Sequence, residues 1–192
     1  MNVLIVAATG SEISSEMIRD FPTLTTGVGM LNAAINLTKE LHKKKYDLVI
    51  NMGVAGSFSS EIKIGDVVEV TEDSFSEIGF EDGESFSEFS DFDIKDRFIV
   101  AARTSLRKVR AITVNTVHGN QNSIDNIIER LDPDIESMEG AAIFQVCDEM
   151  KIPCMQIRSI SNKVEIRNKD NWQLDLAIRN LNLEIEKIIH SL

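Results

Sequence analysis

The stretch PDIESMEGAAIFQVCDEM, residues 133–150, decides how this chain folds. Ile135 begins a short apolar strand that runs into Ser137, Met138 and Glu139. Small residues then open a helix whose apolar face is Ala142, Ile143, Val146 and Cys147. That order places Glu139 at a strand-to-helix junction. In α/β folds such junctions lie at the carboxyl ends of strands, where ligands bind, and a carboxylate there can accept two hydrogen bonds from a diol such as a ribose 2′,3′-pair. Spacing alone leaves a second reading open, because an acid at a helix N-terminus is also stabilised by the macrodipole.

The same strand-then-helix grammar extends to both sides. Residues 2–8 form a nearly continuous apolar run, as expected of a strand covered on both faces, and Thr9-Gly10-Ser11-Glu12 is the turn at its carboxyl end. Glu12 is therefore either a site acid or a solvated first-turn acid. Gly27 and Gly29 precede a helical pattern over 31–44 and suit close backbone approach to a ligand. The third glycine of a dinucleotide fingerprint is missing, and no Lys-Ser/Thr follows to make a phosphate loop. Residues 48–52 predict a second buried strand, ending in Gly53-Val54-Ala55-Gly56, where small side chains again admit a close neighbour. Further strands are predicted over 67–70, 109–117 and 154–160, and helices over 122–130 and 172–189, with 161–168 a polar loop. Strands and helices alternate with no internal repeat. The prediction is α/β: one three-layer domain over 1–192, its central mixed twisted β-sheet flanked by helices.

Segment 72–96 departs from this pattern, holding ten acids, five of the nine Phe and Lys95 as its only base. Acidic loops punctuated by aromatics have something to bury, so a lid or a subunit contact is expected there. The formal net charge of −11 argues against nucleic acid or an anionic membrane as partner. No run is long and apolar enough to span a bilayer, and the first residues lack a basic n-region, so a cytoplasmic protein is expected. Cys147 and Cys154 fall on apolar faces and read as buried small hydrophobes. His42, His118 and His190 are scattered without metal-ligand spacing, so no metal and no cofactor is expected.

Taken together, ATGSE, TGVGMLNAA, NMGVAG, IGDVVEV, ESMEGAA and IRSISNKVE, in this order, resemble the nucleoside phosphorylase/nucleosidase superfamily over nearly the whole chain. Residues 79–83, GFEDG, and residues 161–172, SNKVEIRNKDNW, are similar to the futalosine hydrolase branch. The resemblance implies a homo-oligomeric enzyme of the alternative menaquinone route. It would hydrolyse the N-glycosidic bond of a 6-oxopurine nucleoside and release hypoxanthine. It assigns Glu12 to the attacking water, Glu139 to the ribose hydroxyls with Met138 beside the sugar, and Asn162 to the base, next to Ser161. Where adenine-specific members carry Asp, this chain carries Asn162. An amide can accept from a ring nitrogen and donate to a 6-oxo group, whereas a carboxylate only accepts. Gly27, Gly29, Gly53, Ala55 and Gly56 are expected to line the substrate. Arg167 or Lys163 could pair with the substrate's carboxylate, or equally make surface ion pairs. The turns at 8–12 and 51–60 carry no Arg for a phosphate, which favours water as nucleophile.

Overall fold

A computed structural model of the chain describes residues 1–83 and 85–192. In chain order the elements are β1 (Val3–Ala7), α1 (Glu16–Arg19), β2 (Thr23–Thr25), α2 (Met30–Lys43) and β3 (Leu48–Ser57). They continue with β4 (Val67–Phe75), the small hairpin β5 (Phe80–Asp82) and β6 (Ser85–Ser87), then β7 (Arg97–Ile99) and β8 (Arg107–Thr113). The last are α3 (Gln121–Leu131), β9 (Ile135–Ser137), α4 (Gly140–Glu149), β10 (Cys154–Lys163) and α5 (Leu174–Ser191).

Side-chain alternation along β1 builds the layers. Leu4 and Val6 point into a core shared with Leu37 and Leu41 of α2 and Ala142, Ile143 and Val146 of α4. Val3, Ile5 and Ala7 point the opposite way, against Leu181, Ile185 and Ile188 of α5. The mixed sheet between them closes on itself. Strand β3 pairs in parallel with β1 and β10 and touches β9 at its end, while β10 pairs with β4, β4 with β8, and β8 with β9. Strands β1 and β2 extend from this ring as a parallel wing. Among the described residues, no helix is long and apolar enough to cross a membrane.

Three strands run further than periodicity indicated, and one of them, β4, continues to Phe75, so residues 72–75 of the segment expected to be a lid or contact are ladder residues paired with β8. The small residues 53–57 continue β3, because β10 pairs with it through Lys163↔Ser57. Ser161, Asn162 and Lys163 likewise belong to β10 and not to the predicted polar loop. Between Ile160 and Asn162 the register slips by one residue, a β-bulge that re-aims the side chains beyond it. Strand β8, by contrast, ends at Thr113 and not at 117, where the chain turns toward β9 through Val114 N–H donating to the Ser137 carbonyl.

The start of α4 is pinned from below. A Cβ on Gly140 would stand 2.1 Å from Asp73 Oδ2 and 2.2 Å from Gln156 Oε1, so only glycine lets this helix end approach the sheet so closely. Thr113 Oγ1 accepts from Ala141 N–H (2.8 Å) and donates to Asp73 Oδ1 (2.9 Å), and Gln156 Nε2 donates to Asp73 Oδ2 (2.9 Å). Asp73 is fully buried, and that burial pushes its carboxyl up to about 6 in spite of these donors. A raised acid favours the fold most below its unfolded value of 3.8, and that advantage fades as pH climbs through about 6. We expect this one group to remove about 2 kcal/mol between pH 4 and pH 7. Denaturation of Asp73→Asn across that window should show a flatter pH dependence than the parent. Parallel curves would contradict the assignment.

Candidate active site

The carboxyl ends of the parallel strands β1, β3 and β10, together with β9 and the junction after it, line a cleft of about 510 Å³. This is where α/β sheets present ligand sites. Beyond β1 the chain makes a single 3-10 turn, Gly10–Glu12, that folds Glu12 back over the strand. Its Oε2 accepts from the Thr9 N–H (2.9 Å) and hydroxyl (3.2 Å), while Oε1 accepts from the Val54 N–H (3.2 Å). The Glu12 carbonyl accepts from Asn182 of α5 (2.9 Å), so the turn is tied to three elements and the acid is 7% exposed.

Glu139 sits at the strand-to-helix junction and reaches across to the loop before α2, where its Oε1 accepts the Gly29 N–H at 2.8 Å. Gly29 has φ +94°, a conformation open chiefly to glycine, and that orients its N–H. Burial raises the Glu139 carboxyl above its ordinary value; the Gly29 N–H and Arg158 pull it back, and Glu12 pushes it further up.

Arg158, in the middle of β10, supplies that cationic field. It is 1% exposed, with Nη2 donating to Asn51 Oδ1 (2.5 Å) and Nη1 to the Ile157 carbonyl (3.3 Å). Burial lowers its proton affinity, and Glu139, Glu12 and Asp73 raise it in turn. Arg158 Nη1 and Glu12 Oε1 each lie 3.1 Å from where a Gly53 Cβ would stand, so these two charges converge over bare backbone.

At the other end of the cleft the bulge presents Asn162. Its Oδ1 accepts from Ser161 Oγ (2.8 Å) and its Nδ2 donates to the Lys163 carbonyl (2.9 Å). An amide has two acceptor sites and two donor hydrogens, so one of each is left for a ligand. Across the cleft, Glu136 Oε1 accepts from His118 N–H (3.1 Å) and Oε2 from His118 Nδ1 (2.6 Å). At the rim the Arg167 guanidinium lies 5.4 Å from the centroid of the Trp172 ring.

Glu12, Ala55, Gly56, Met138, Glu139, Ser161, Asn162 and Arg167 thus line one cleft although they are far apart in sequence. Gly27, Gly29 and Gly53 stand behind its wall: Gly29 serves Glu139, Gly53 makes room for Glu12 and Arg158, and Gly27 turns the chain at φ +85° beside Asn32. Lys163 points away, its ammonium donating to the carbonyls of Ser59 and Ile62. None of the described residues of 72–96 lines the cleft; Phe80, Phe89 and Phe92 stack on one another there and stay exposed. Among the described residues no group of three or more His, Cys, Asp or Glu is arranged to hold a metal.

Arg158, His118 and Glu136 were missed by spacing. A charged residue inside the apolar run 154–160 was the available signal for Arg158, since a buried cation demands partners. The His118–Glu136 pair had none, because it forms only when the chain leaves β8 and passes over β9.

The family model described as the phosphorylase superfamily matches residues 22–190. A 5′-methylthioadenosine/S-adenosylhomocysteine nucleosidase of Anoxybacillus flavithermus is 32% identical over 153 residues, a match covering 72% of this chain and 66% of that relative. Among solved structures, the nucleosidase of that name from Neisseria meningitidis, in complex with methylthio-immucillin-A, superposes with a TM-score of 0.83 at 20% identity, covering 99% of each chain. A futalosine hydrolase mutant of Helicobacter pylori strain 26695 gives 0.86 at 14% identity, again over 99% of each chain. At these identities the structural likeness speaks for the fold.

Because Glu12 holds Glu139 partly toward its protonated form, the variant Glu12→Gln should let Glu139 ionise at lower pH. Calorimetric titration of a ribonucleoside as a function of pH is the check. Binding should strengthen with rising pH above the ordinary glutamate range, and the Glu12→Gln transition should move toward acid. Coincident profiles would remove the coupling.

Proposed function

Since this chain belongs to the phosphorylase superfamily, we propose that it is a nucleosidase for 6-oxopurine ribonucleosides, with futalosine as substrate and hypoxanthine and dehypoxanthinyl futalosine as products. The observation that carries this reading is the amide of Asn162, left with one acceptor and one donor toward the cleft. A 6-oxopurine leaving through a protonated ring nitrogen offers the matching pair, an N–H and a carbonyl. As the base departs it gains negative charge, and the Asn162 N–H bond to the 6-oxo group strengthens with it.

The remaining chemistry follows from the acids. Glu139 takes the ribose hydroxyls and fixes the sugar, and Glu12 accepts a proton from the water that adds to C1′. The C1′–N9 bond breaks with its electron pair going to the purine, which is released after protonation. Arg158 is the cation in this region, but it is fully buried and faces Glu12, Glu139 and Asp73. Its charge is already committed, which favours water over phosphate as nucleophile. Among the described residues no carboxylate pairs with Arg167, so its guanidinium, lying against Trp172, suits the aryl carboxylate of futalosine.

A second reading has its own support. The 32%-identical relatives are named for methylthioadenosine and adenosylhomocysteine, whose base carries a 6-amino group. Product analysis on purified protein separates the two. We expect hypoxanthine from futalosine, little adenine from methylthioadenosine, and no requirement for phosphate. Asn162→Asp should lower kcat/KM on the 6-oxo substrate by about 10- to 100-fold, as expected when a matched hydrogen bond is replaced by an acceptor-only group. Release of adenine but not hypoxanthine by the parent enzyme would decide for the second reading.

A further inference from the structure

Gly56 is the midpoint of three adjacent strands. It is in register with Asn162 of β10 on one side and with Glu136 of β9 on the other. A Cβ on Gly56 would lie 3.0 Å from Val164 Cγ2, 3.1 Å from Asn162 Nδ2 and 3.6 Å from Glu136 Cγ. The Asn162 and Glu136 side chains therefore rise on the face of Gly56 on which the Val164 methyl also packs, and their backbones are separated by two strand spacings, roughly 10 Å. His118 closes the far side. Its ring is 13% exposed, edge-on to Phe58 at 6.0 Å between centroids, and its Nδ1 is held by Glu136 Oε2.

A carboxylate can only accept, so the 2.6 Å contact places a hydrogen on Nδ1. In the neutral imidazole this leaves a lone pair on Nε2, and Nε2 makes no hydrogen bond within the described residues. The His118 ring itself lines the cleft, opposite Asn162. A flat ligand in the cleft that Gly56, Asn162 and His118 line is thus met by an amide on one edge and by an imidazole acceptor on the other.

We propose that His118 is a specificity-determining residue, with its Nε2 lone pair accepting the N1–H of a 6-oxopurine, and that Glu136 is the positioning residue that fixes its tautomer. This rests on the 6-oxopurine reading above and deepens it. Asn162 senses the 6-oxo group and a ring nitrogen, whereas His118 senses the proton at N1. A 6-aminopurine has a lone pair at N1 and would set it against the lone pair of Nε2. Discrimination by a site built to receive a hydrogen is steep, because the mismatched ligand leaves buried polar groups unpaired.

The test uses two shape-matched variants. In His118→Asn the amide nitrogen takes the place of Nδ1 and keeps the bond to Glu136, but nothing replaces Nε2. In His118→Gln the longer side chain restores an acceptor near the Nε2 position. For parent and variants, kcat/KM would be measured on a 6-oxo and a 6-amino nucleoside, alongside calorimetric binding of free hypoxanthine and free adenine. We expect His118→Asn to cut the 6-oxo value and hypoxanthine affinity by roughly 10-fold or more, with the 6-amino values unchanged or improved, and His118→Gln to recover part of the preference. An equal loss on both bases, or an unchanged preference, overturns the assignment while leaving the 6-oxopurine function standing. A parent enzyme that releases only adenine overturns the function itself, and the N1–H contact with it.

Discussion

Arg158 carries a guanidinium without access to solvent, set among Glu12, Glu139 and Asp73. Burying any one of these four charges alone would cost several kcal/mol, and each acid would sooner take up a proton than stay charged. Arg158 pulls the raised Glu139 and Asp73 carboxyls back toward their ordinary values, and Asn51 and the Ile157 carbonyl accept from the guanidinium. The balance is uneven by design of the set: three acids surround one base. Burial pushes the Asp73 carboxyl up to about 6, and burial raises Glu139 at the cleft as well. A ribosyl ring that becomes cationic as its base leaves would be stabilised by this field, more so in the transition state than in the ground state.

The closed sheet makes that grouping possible. Strand β3 is shared by β1, β9 and β10, so acids and bases from residues 12, 136, 139 and 158 converge within a few strand spacings. The register of these strands is locked by burial on both faces. Val3, Leu4, Ile5, Val6 and Ala7 are all buried, and a one-residue slip would exchange every contact with α4 for one with α5. Gly140 adds the last constraint. It seats α4 on Asp73 and Gln156, and so sets the height at which Glu139 leaves the sheet.

Much of this was legible in the residues themselves. Continuous apolar runs marked β1 and the first half of β3, helical spacing marked α2, α4 and α5, and the junction at 137–140 marked Glu139. The places where pattern fell short share a physical cause. Gly53 to Ser57 read only as a small-residue stretch closing the strand, because such residues have weak strand preference, yet here they are ladder residues paired on β10. Asn162 read as loop for the same reason, and its aim depends on a bulge that a sequence does not announce. Strand β2, the hairpin β5–β6 and β7 are three residues long each, too short to show a period. Glu136 and His118 are 18 residues apart and meet only through the path of the chain after β8.

The two ends of the cleft answer to different physics, and this separates rate from selectivity. At the end proposed for the sugar, Arg158, Glu12 and Glu139 are buried together, so a change at Arg158 or Glu12 alters the ionisation of Glu139. At the end proposed for the base, the facing groups are the Asn162 amide and the His118 imidazole, held by Ser161, Lys163 and Glu136. Exchanging an amide for a carboxylate there alters hydrogen-bond polarity without disturbing the charge cluster around Arg158. A fold organised in this way can keep one means of cleaving a glycosidic bond while the identity of the departing base is reset by a few residues on β3, β9 and β10. On that ground the 32% identity to nucleosidases named for 6-amino substrates is compatible with the base proposed here, since identity is counted over 153 residues and the proposed choice rests on a few of them.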